Sequence, residues 1–352
     1  MARTYNHLYE KIYDFENIYR AYLQARRGKR YQDDVMRFTA DLECNLINIQ
    51  NHLIWKTYRT GAYKYFTVRE PKERLVAALP FSDRVVHHAI CNVIEPIFER
   101  SFIPDSYACR VNRGVMAGVK CTTKFLREGR RKWGTVYCLK GDIAKYFQSV
   151  DYDALKRIVR KKIACPDTLD ILFEIIDSTG EERGMPIGNL TSQLFANVYL
   201  NELDHYAKEV LRVKYYIRYM DDFVILSDDK VYLHHILAEI EGFLFDRLHL
   251  NLNRKTQIFP VAQRPIDFLG YRIWPDYRLL RKANVKRVKR QFRVLQRLYA
   301  ENRIGMEEIR PRIMSWLGHA KHADTWRLCE RVLGELVFVR NSDGEEYQND
   351  SY

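Results

Sequence analysis

An α+β fold is what this sequence predicts, and three observations carry the expectation. Stretches with apolar residues at helical spacing alternate with short apolar runs of strand length. The two kinds interleave in no strict strand-helix-strand order, and no segment repeats along the chain. The 352 residues are 47% hydrophobic, enough to bury a sizeable core in two or three subdomains.

The element order follows from the pattern. Tyr5 to Trp55 reads as a helical N-terminal region, with Phe38, Leu42, Leu46, Ile49 and Leu53 on one face. From Tyr63 to Leu79 the pattern alternates and turns basic, with Pro71 between two runs, and predicts a two-stranded ribbon carrying Arg69, Lys72 and Arg74. Helical spacing returns over Ser82 to Phe98, with Ser82 as the expected N-cap, and over Gly114 to Arg131. Thr135 to Leu139 is an apolar strand that runs to Gly141-Asp142, and Tyr152 to Ile163 is a helix. Asn189 to Val210 is a long helix. Tyr215 to Tyr219 and Phe223 to Leu226 form a hairpin around Met220-Asp221-Asp222. Leu233 to Leu248 is an amphipathic helix, and Lys255 to Phe259 and Phe268 to Trp274 are each a strand. Beyond Tyr277 a helix carries Arg281, Lys282, Lys286, Arg287, Lys289, Arg290, Arg293 and Arg297 opposite Val285, Val288, Phe292 and Leu295. The last residues are polar and acidic and read as a disordered tail.

Composition narrows the function. Lys and Arg outnumber Asp and Glu 58 to 45, a formal charge of +13, which favours a polyanion such as nucleic acid over a small neutral ligand. The competing reading of such a balance is solubility alone. The seven cysteines are scattered and show no C-x-x-C pair, so they read as reduced core residues. The N-terminus has no signal-like apolar region, and no run reaches the roughly 18 apolar residues that span a bilayer. A cytoplasmic protein of bacterial, archaeal or phage origin, with no membrane partner, is expected.

Asp221 and Asp222 stand together at a hairpin tip between apolar strands. Like charges held that close repel and need a counterion. A pair of divalent cations meets the need, because two-metal nucleotidyl transfer activates the attacking hydroxyl and neutralises the leaving pyrophosphate. Mg2+ suits carboxylate and phosphate ligands. Asp142, ending an upstream strand, is the best third carboxylate. Asp151 and Asp153 precede a helix, where acids serve cap and dipole. A lone Asp-Asp pair, by contrast, is ordinarily a solvated turn.

The pair is not alone. Tyr219-Met220-Asp221-Asp222 resembles the signature hairpin of reverse transcriptases. It is joined in the expected order by Gly141-Asp142-Ile143-Ala144-Lys145-Tyr146-Phe147, by Gly184 to Gln193, by Leu250 to Thr256 and by Phe268-Leu269-Gly270-Tyr271. The likeness covers about residues 60 to 330. Within that family, Ile187-Gly188-Asn189-Leu190-Thr191-Ser192-Gln193 resembles the form found in diversity-generating retroelements, where other members carry Gln-Gly. Ser315 to Trp326 is similar to the thumb segment of the same group.

The resemblance implies a right-hand polymerase: an N-terminal helical extension over 1–59, fingers and palm over 60–277, a helical thumb over 278–338 and a polar tail over 339–352. It implies RNA-templated DNA synthesis with two Mg2+ ions, Mn2+ being able to substitute. Asp142, Asp221, Asp222 and the Ile143 carbonyl would hold the metals. Arg69, Lys72 and Arg74 would grip the triphosphate, Arg74 by its bidentate fork, although a basic edge strand also discourages sheet pairing. Phe147 would lie under the incoming sugar and exclude a 2′-hydroxyl, its alternative role being core packing. Ile187, Gly188 and Gln193 would line the nascent base pair, and apolar Ile187 would loosen base-pair checking. Ser192, Gly270 and Arg110 would meet template or primer. Lys255 would assist the leaving pyrophosphate or else face solvent. Lys286, Arg287, Lys289, Arg290 and Arg293 would track the duplex backbone.

The partners implied are template RNA, the RNA/cDNA duplex, deoxynucleoside triphosphates and a basic accessory variability protein. The role implied is error-prone cDNA synthesis in mutagenic retrohoming. A retron or phage-defence enzyme is the alternative, and a nucleic-acid scaffold without chemistry is a third reading, disfavoured by the retained acids.

Overall fold

The structure is a computed structural model that describes residues 4–69 and 73–340. Lys72 and the tail beyond 340 lie outside the described residues. The chain divides into two compact units, one of residues 1–118 and 139–258, the other of residues 119–138 and 259–352. The sequence predicts a contiguous boundary at 277/278; the division found is discontinuous, because a helix far upstream packs with the C-terminal elements.

The first unit opens with four helices, α1 (Tyr9–Tyr13), α2 (Phe15–Ala25), α3 (Asp33–Ala40) and α4 (Leu42–Ile54). Asp14 caps α2 through the Asn17 amide, and Ile18, Ala21, Tyr22 and Ala25 form its buried stripe. The predicted basic ribbon is present as β1 (Lys64–Val68) and β2 (Arg74–Ala78), antiparallel with Val68 opposite Arg74. α5 (Phe81–Glu99) starts after Pro80, so Ser82 is inside the helix rather than its cap. α2 and α5 are tied by the Asn17 side-chain amide, which donates to the Ala89 carbonyl at 3.0 Å.

Next come α6 (Val115–Trp133), β3 (Tyr137–Asp142), α7 (Tyr146–Ser149), α8 (Tyr152–Arg160) and α9 (Pro166–Asp177). α9 is a helix beyond those expected, although Pro166 at its first turn and the apolar spacing of Ile171, Leu172, Ile175 and Ile176, all buried, are helix signals. α10 (Leu190–His205) is buried on nearly every face and ends in a π-helical turn over Tyr206–Val210. β4 (Tyr216–Tyr219) and β5 (Asp222–Ser227) form the predicted hairpin, followed by α11 (Lys230–Leu248) and β6 (Gln257–Pro260). These strands order as β4-β5-β3-β6, which places β3 beside β5.

In the second unit, β7 (Ile266–Phe268), β8 (Tyr271–Ile273) and β9 (Arg278–Leu280) make a small antiparallel sheet. The single strand expected over Phe268 to Trp274 is therefore two strands. The chain reverses at Leu269-Gly270, both at positive φ (54° and 89°). Three helices close the chain, α12 (Lys282–Ala300), α13 (Met306–Ala320) and α14 (Trp326–Gly334). Phe292 of α12 meets Trp316 of α13 edge to face at 5.7 Å, and the Tyr271 hydroxyl donates to the His319 carbonyl at 3.0 Å. No described helix is long and apolar enough to cross a membrane.

Candidate active site

The buried Cys138 and Leu139 anchor β3 and carry Asp142 to its end. Gly141 has to be glycine, because a Cβ there would lie 2.0 Å from the Phe223 ring of β5. That close approach brings the strand end beside the hairpin tip, and the Ile143 amide donates to the Asp221 carbonyl at 3.2 Å. The segment that resembles a later palm motif straps the same strand end. The Asn253 amide donates to the Asp142 carbonyl at 2.7 Å, the Asp142 amide to the Thr256 hydroxyl at 3.3 Å, and the Ala144 amide to the Asn251 carbonyl at 2.9 Å. Asp142 is thus fixed at both its backbone polar groups. Lys255 is exposed, and its backbone amide donates to the Asn253 side-chain oxygen at 3.1 Å.

In the hairpin, Tyr219 pairs with Asp222, so Met220 and Asp221 form a two-residue loop. Met220 has φ 54°, a left-handed conformation that strains a residue with a side chain. The restraint comes from Arg218, expected from the sequence only as a strand residue. Its side chain is fully buried and forms a fork with Asp204 of α10, at 2.7 Å from Nε and 2.6 Å from Nη2. Nη1 donates to the Met220 carbonyl at 3.0 Å, and Nη2 to the Ser106 hydroxyl at 3.1 Å. Tyr216 donates to the same Asp204 carboxylate at 2.8 Å. An arginine between Ile217 and Tyr219 in an otherwise apolar strand was the available signal, since a buried charge requires a paired partner.

Burial is the main reason the Asp221 carboxyl is pushed up to about 6, and the neighbouring charges of Asp222 and Asp142 add to it. Arg74 of β2 acts in the opposite direction, which places the ribbon's cation within electrostatic reach of the acids. Asp222 pairs with Lys140 at 3.7 Å. Lys140 and Asp142, two apart on β3, share a face of the strand, opposite Gly141. Among the described residues no three His, Cys, Asp or Glu side chains converge into a preformed cage. The acids at the β3 end and the hairpin tip are oxygen donors, which fits Mg2+, a cation held by one or two carboxylates together with substrate phosphates.

Around this centre the remaining predicted residues fall into groups. Lys145 has φ 46° and turns the chain so that Tyr146 is buried, its hydroxyl donating to the Ala196 carbonyl at 2.6 Å. Phe147 is left half-buried, edge-on to Tyr146 at 5.6 Å. The Phe147 carbonyl accepts the Met185 amide, and Gly184 packs on the Gln148 backbone, so the two motifs are pinned together. The Ala77 amide of β2 donates to the Ile187 carbonyl at 2.8 Å. Gly188 has φ 132°, and a Cβ there would meet the Ala77 carbonyl oxygen at 2.5 Å, so glycine is required twice over. Ile187 is half-buried, Ser192 buried and Gln193 exposed at the start of α10. Arg69 and Arg74 are exposed on the ribbon.

Of Arg110, Gly270 and the α12 cations, Arg110 and Lys289 depart from expectation. Arg110 is not available to a template, because its side chain is 4% exposed and its guanidinium is spent on Glu99 and on the Ile103 and Ser106 carbonyls. It clamps the loop that leads to Tyr107, whose amide donates to the Arg218 carbonyl at 3.0 Å. Gly270 serves the β7–β8 turn in the second unit, its carbonyl accepting the Arg281 amide at 3.0 Å. On α12, Lys286, Arg290 and Arg293 are exposed and Arg287 is half-buried, while Lys289 is paired with Glu335 at 3.0 Å.

Comparison with known proteins adds a family likeness. Residues 68–273 match the model described as reverse transcriptase (RNA-dependent DNA polymerase). The chain is 27% identical over 234 residues to protein YkfC of Escherichia coli, covering 54% of this chain and 60% of that one. It is 21% identical over 294 residues to the group II intron-encoded protein LtrA of Lactococcus lactis, covering 63% and 47%. It is 27% identical over 173 residues to the retron Ec48 reverse transcriptase of Escherichia coli, covering 48% and 42%. The chain spans about half the length of the curated relatives it matches.

Proposed function

The chain belongs to the reverse transcriptase (RNA-dependent DNA polymerase) family, and from that premise we propose that it copies an RNA template into DNA, with Asp142 and Asp221 as the metal-holding carboxylates. The observation that carries the reading is the junction of β3 and β5, where residues 78 apart in sequence are joined by the Ile143 to Asp221 hydrogen bond of 3.2 Å. Two Mg2+ ions bound there would activate the primer hydroxyl and neutralise the departing pyrophosphate. The Ile143 carbonyl is the proposed third oxygen donor, and Asp222, shared with Lys140, acts at one remove. Arg74 and Arg69 bind the triphosphate from the ribbon, Lys255 faces the pyrophosphate, and Phe147 excludes the 2′-hydroxyl. Gln193, Ser192 and the bare Gly188 backbone accommodate the nascent pair. The exposed cations of α12, Lys286, Arg290 and Arg293, with Arg287, follow the duplex phosphates.

The finer reading is mutagenic retrohoming in a diversity-generating retroelement, with a basic accessory protein as partner. Its support is Ile187, an apolar side chain that cannot make a glutamine's polar contacts beside the new base pair. Likeness to a retron enzyme supports the second reading, cDNA synthesis for antiviral defence, to the same degree. Primer extension on RNA with Mg2+, followed by sequencing of the cDNA, tests both levels. Extension with errors concentrated opposite one template base is expected, and Ile187→Gln should lower that error rate. Faithful copying that the substitution leaves unchanged would remove the mutagenic reading, and absence of extension would remove the polymerase.

A further inference from the structure

We propose that a basic cleft of the second unit is a binding site for single-stranded nucleic acid, built on residues that take no part in the carboxylate centre. The cleft has a volume of about 630 Å³ and is lined along one side by α6. Lys120, Lys124, Arg127 and Arg131 recur there at steps of four, three and four, so they fall on one face of the helix, and all four are exposed. The stripe is about 16 Å long at the helical rise, enough to meet several successive phosphates. Arg278 and Lys321 add charge from the lining.

The acids in the cleft do not cancel this charge. Glu128 lies 3.9 Å from Lys124, Asp276 is paired with Arg130, and the Asp324 carboxylate accepts the Arg278 backbone amide at 3.1 Å. Lys120, Arg131 and Lys321 have no ion-pair partner among the described residues. A second feature speaks for bases as well as phosphates. Tyr277 lines the cleft and is 44% exposed, yet its ring is stacked on Trp274 at 4.7 Å and 18°. A ring that is both exposed and held in place is a platform for an unpaired base. The loop that presents it is fixed to α6 by Arg127, whose Nε donates to the Pro275 carbonyl at 2.9 Å. Cations in a row beside one stacking ring suit a single strand better than a duplex, whose bases are already stacked.

The occupant rests on the proposed function. Copying leaves the cDNA paired to its template, so the long unpaired strand in the reaction is the RNA still to be copied. The test uses the full chain with a saturating primer–template duplex, and measures anisotropy of labelled U12 RNA across a salt series. The triple variant Lys120→Gln/Arg131→Gln/Lys321→Gln should weaken U12 binding at least tenfold and flatten the salt dependence by about two units of slope for three lost contacts. Tyr277→Ala should weaken it severalfold with the slope kept. The triple variant should still extend a short primer–template at the parental rate, which also shows that it is folded. Parental U12 affinity and slope in the triple variant would overturn the proposal, as would displacement of U12 by a polyglutamate of equal charge as readily as by unlabelled U12. Loss of extension in every form with U12 binding intact would instead sink the polymerase reading and leave the cleft standing.

Discussion

In the proposed centre Asp221 would serve function at a cost to the fold. Its folded-state acidity is weakened, with the carboxyl near 6 against an ordinary 3.8, so the native protein without metal binds a proton more readily than the unfolded chain does. Stability therefore declines as pH rises from about 4 through 6. A cation reverses the preference for the charged form, and protons compete with it. Calorimetric titration with Mg2+ or Mn2+ should accordingly give an affinity that falls steeply below about pH 6, an inflection that Asp221→Asn should abolish. The same variant should lose primer extension by at least 10³-fold, the scale on which removing a centre of charge stabilisation acts, while keeping RNA binding and melting at a higher temperature above pH 6 without metal. Extension retained by this variant would take Asp221 out of the centre. Phe147 tests the opposite side of the site. Phe147→Ala should admit ribonucleotides in a single-nucleotide insertion assay, and unaltered sugar discrimination would return the ring to core packing.

The β4–β5 hairpin packs through its buried apolar residues, and its tip is held from beneath by a buried ion pair. Arg218 joins Asp204 of α10, Ser106 of the loop after α5 and the Met220 carbonyl, and the Arg218, Asp204 and Ser106 side chains are fully buried. Lysine lacks the planar fork, so Arg218→Lys keeps the charge and loses the geometry. It should fold with about 3 kcal/mol less stability, read from the urea midpoint. Its kcat should fall at least tenfold with the nucleotide KM little changed, because the tip moves and the triphosphate grip does not. A KM effect with kcat preserved would show that Arg218 acts elsewhere. The ribbon is seated by a different device, the bare backbone of Gly188 under Ala77. A methyl group there strikes a carbonyl oxygen at 2.5 Å, so Gly188→Ala should displace β2 and raise the nucleotide KM severalfold through Arg74.

For the whole molecule the formal charge of +13 sets the response to salt. Template affinity should fall steeply between 50 and 200 mM salt, by about 10³-fold if some six phosphates are met; a flat profile would mean that the cations are solvated rather than in contact. Much of the candidate site was legible because polymerase chemistry needs carboxylates at strand ends, and such ends announce themselves as an apolar run that stops at an acid, as Tyr137 to Asp142 does. The ribbon, the hairpin and α10 were legible for the same reason, since period and turn residues are local properties. Arg110 and Arg218 mark the limit. Both are arginines next to motifs, and nothing local says that one clamps a loop through Glu99 and the other locks the hairpin through Asp204, because each partner is distant in sequence or on another element. The same holds for Phe268 to Trp274, where an apolar run hides a reversal at Leu269-Gly270 that a left-handed non-glycine makes unreadable. By itself the sequence determined the α+β class, the family likeness and which acids are the candidates for the chemistry, because these depend on residue type and spacing. Only the tertiary structure decided which cations face a ligand and which are consumed inside, since a guanidinium's role is set by the carboxylates and carbonyls that folding brings within 3 Å of it.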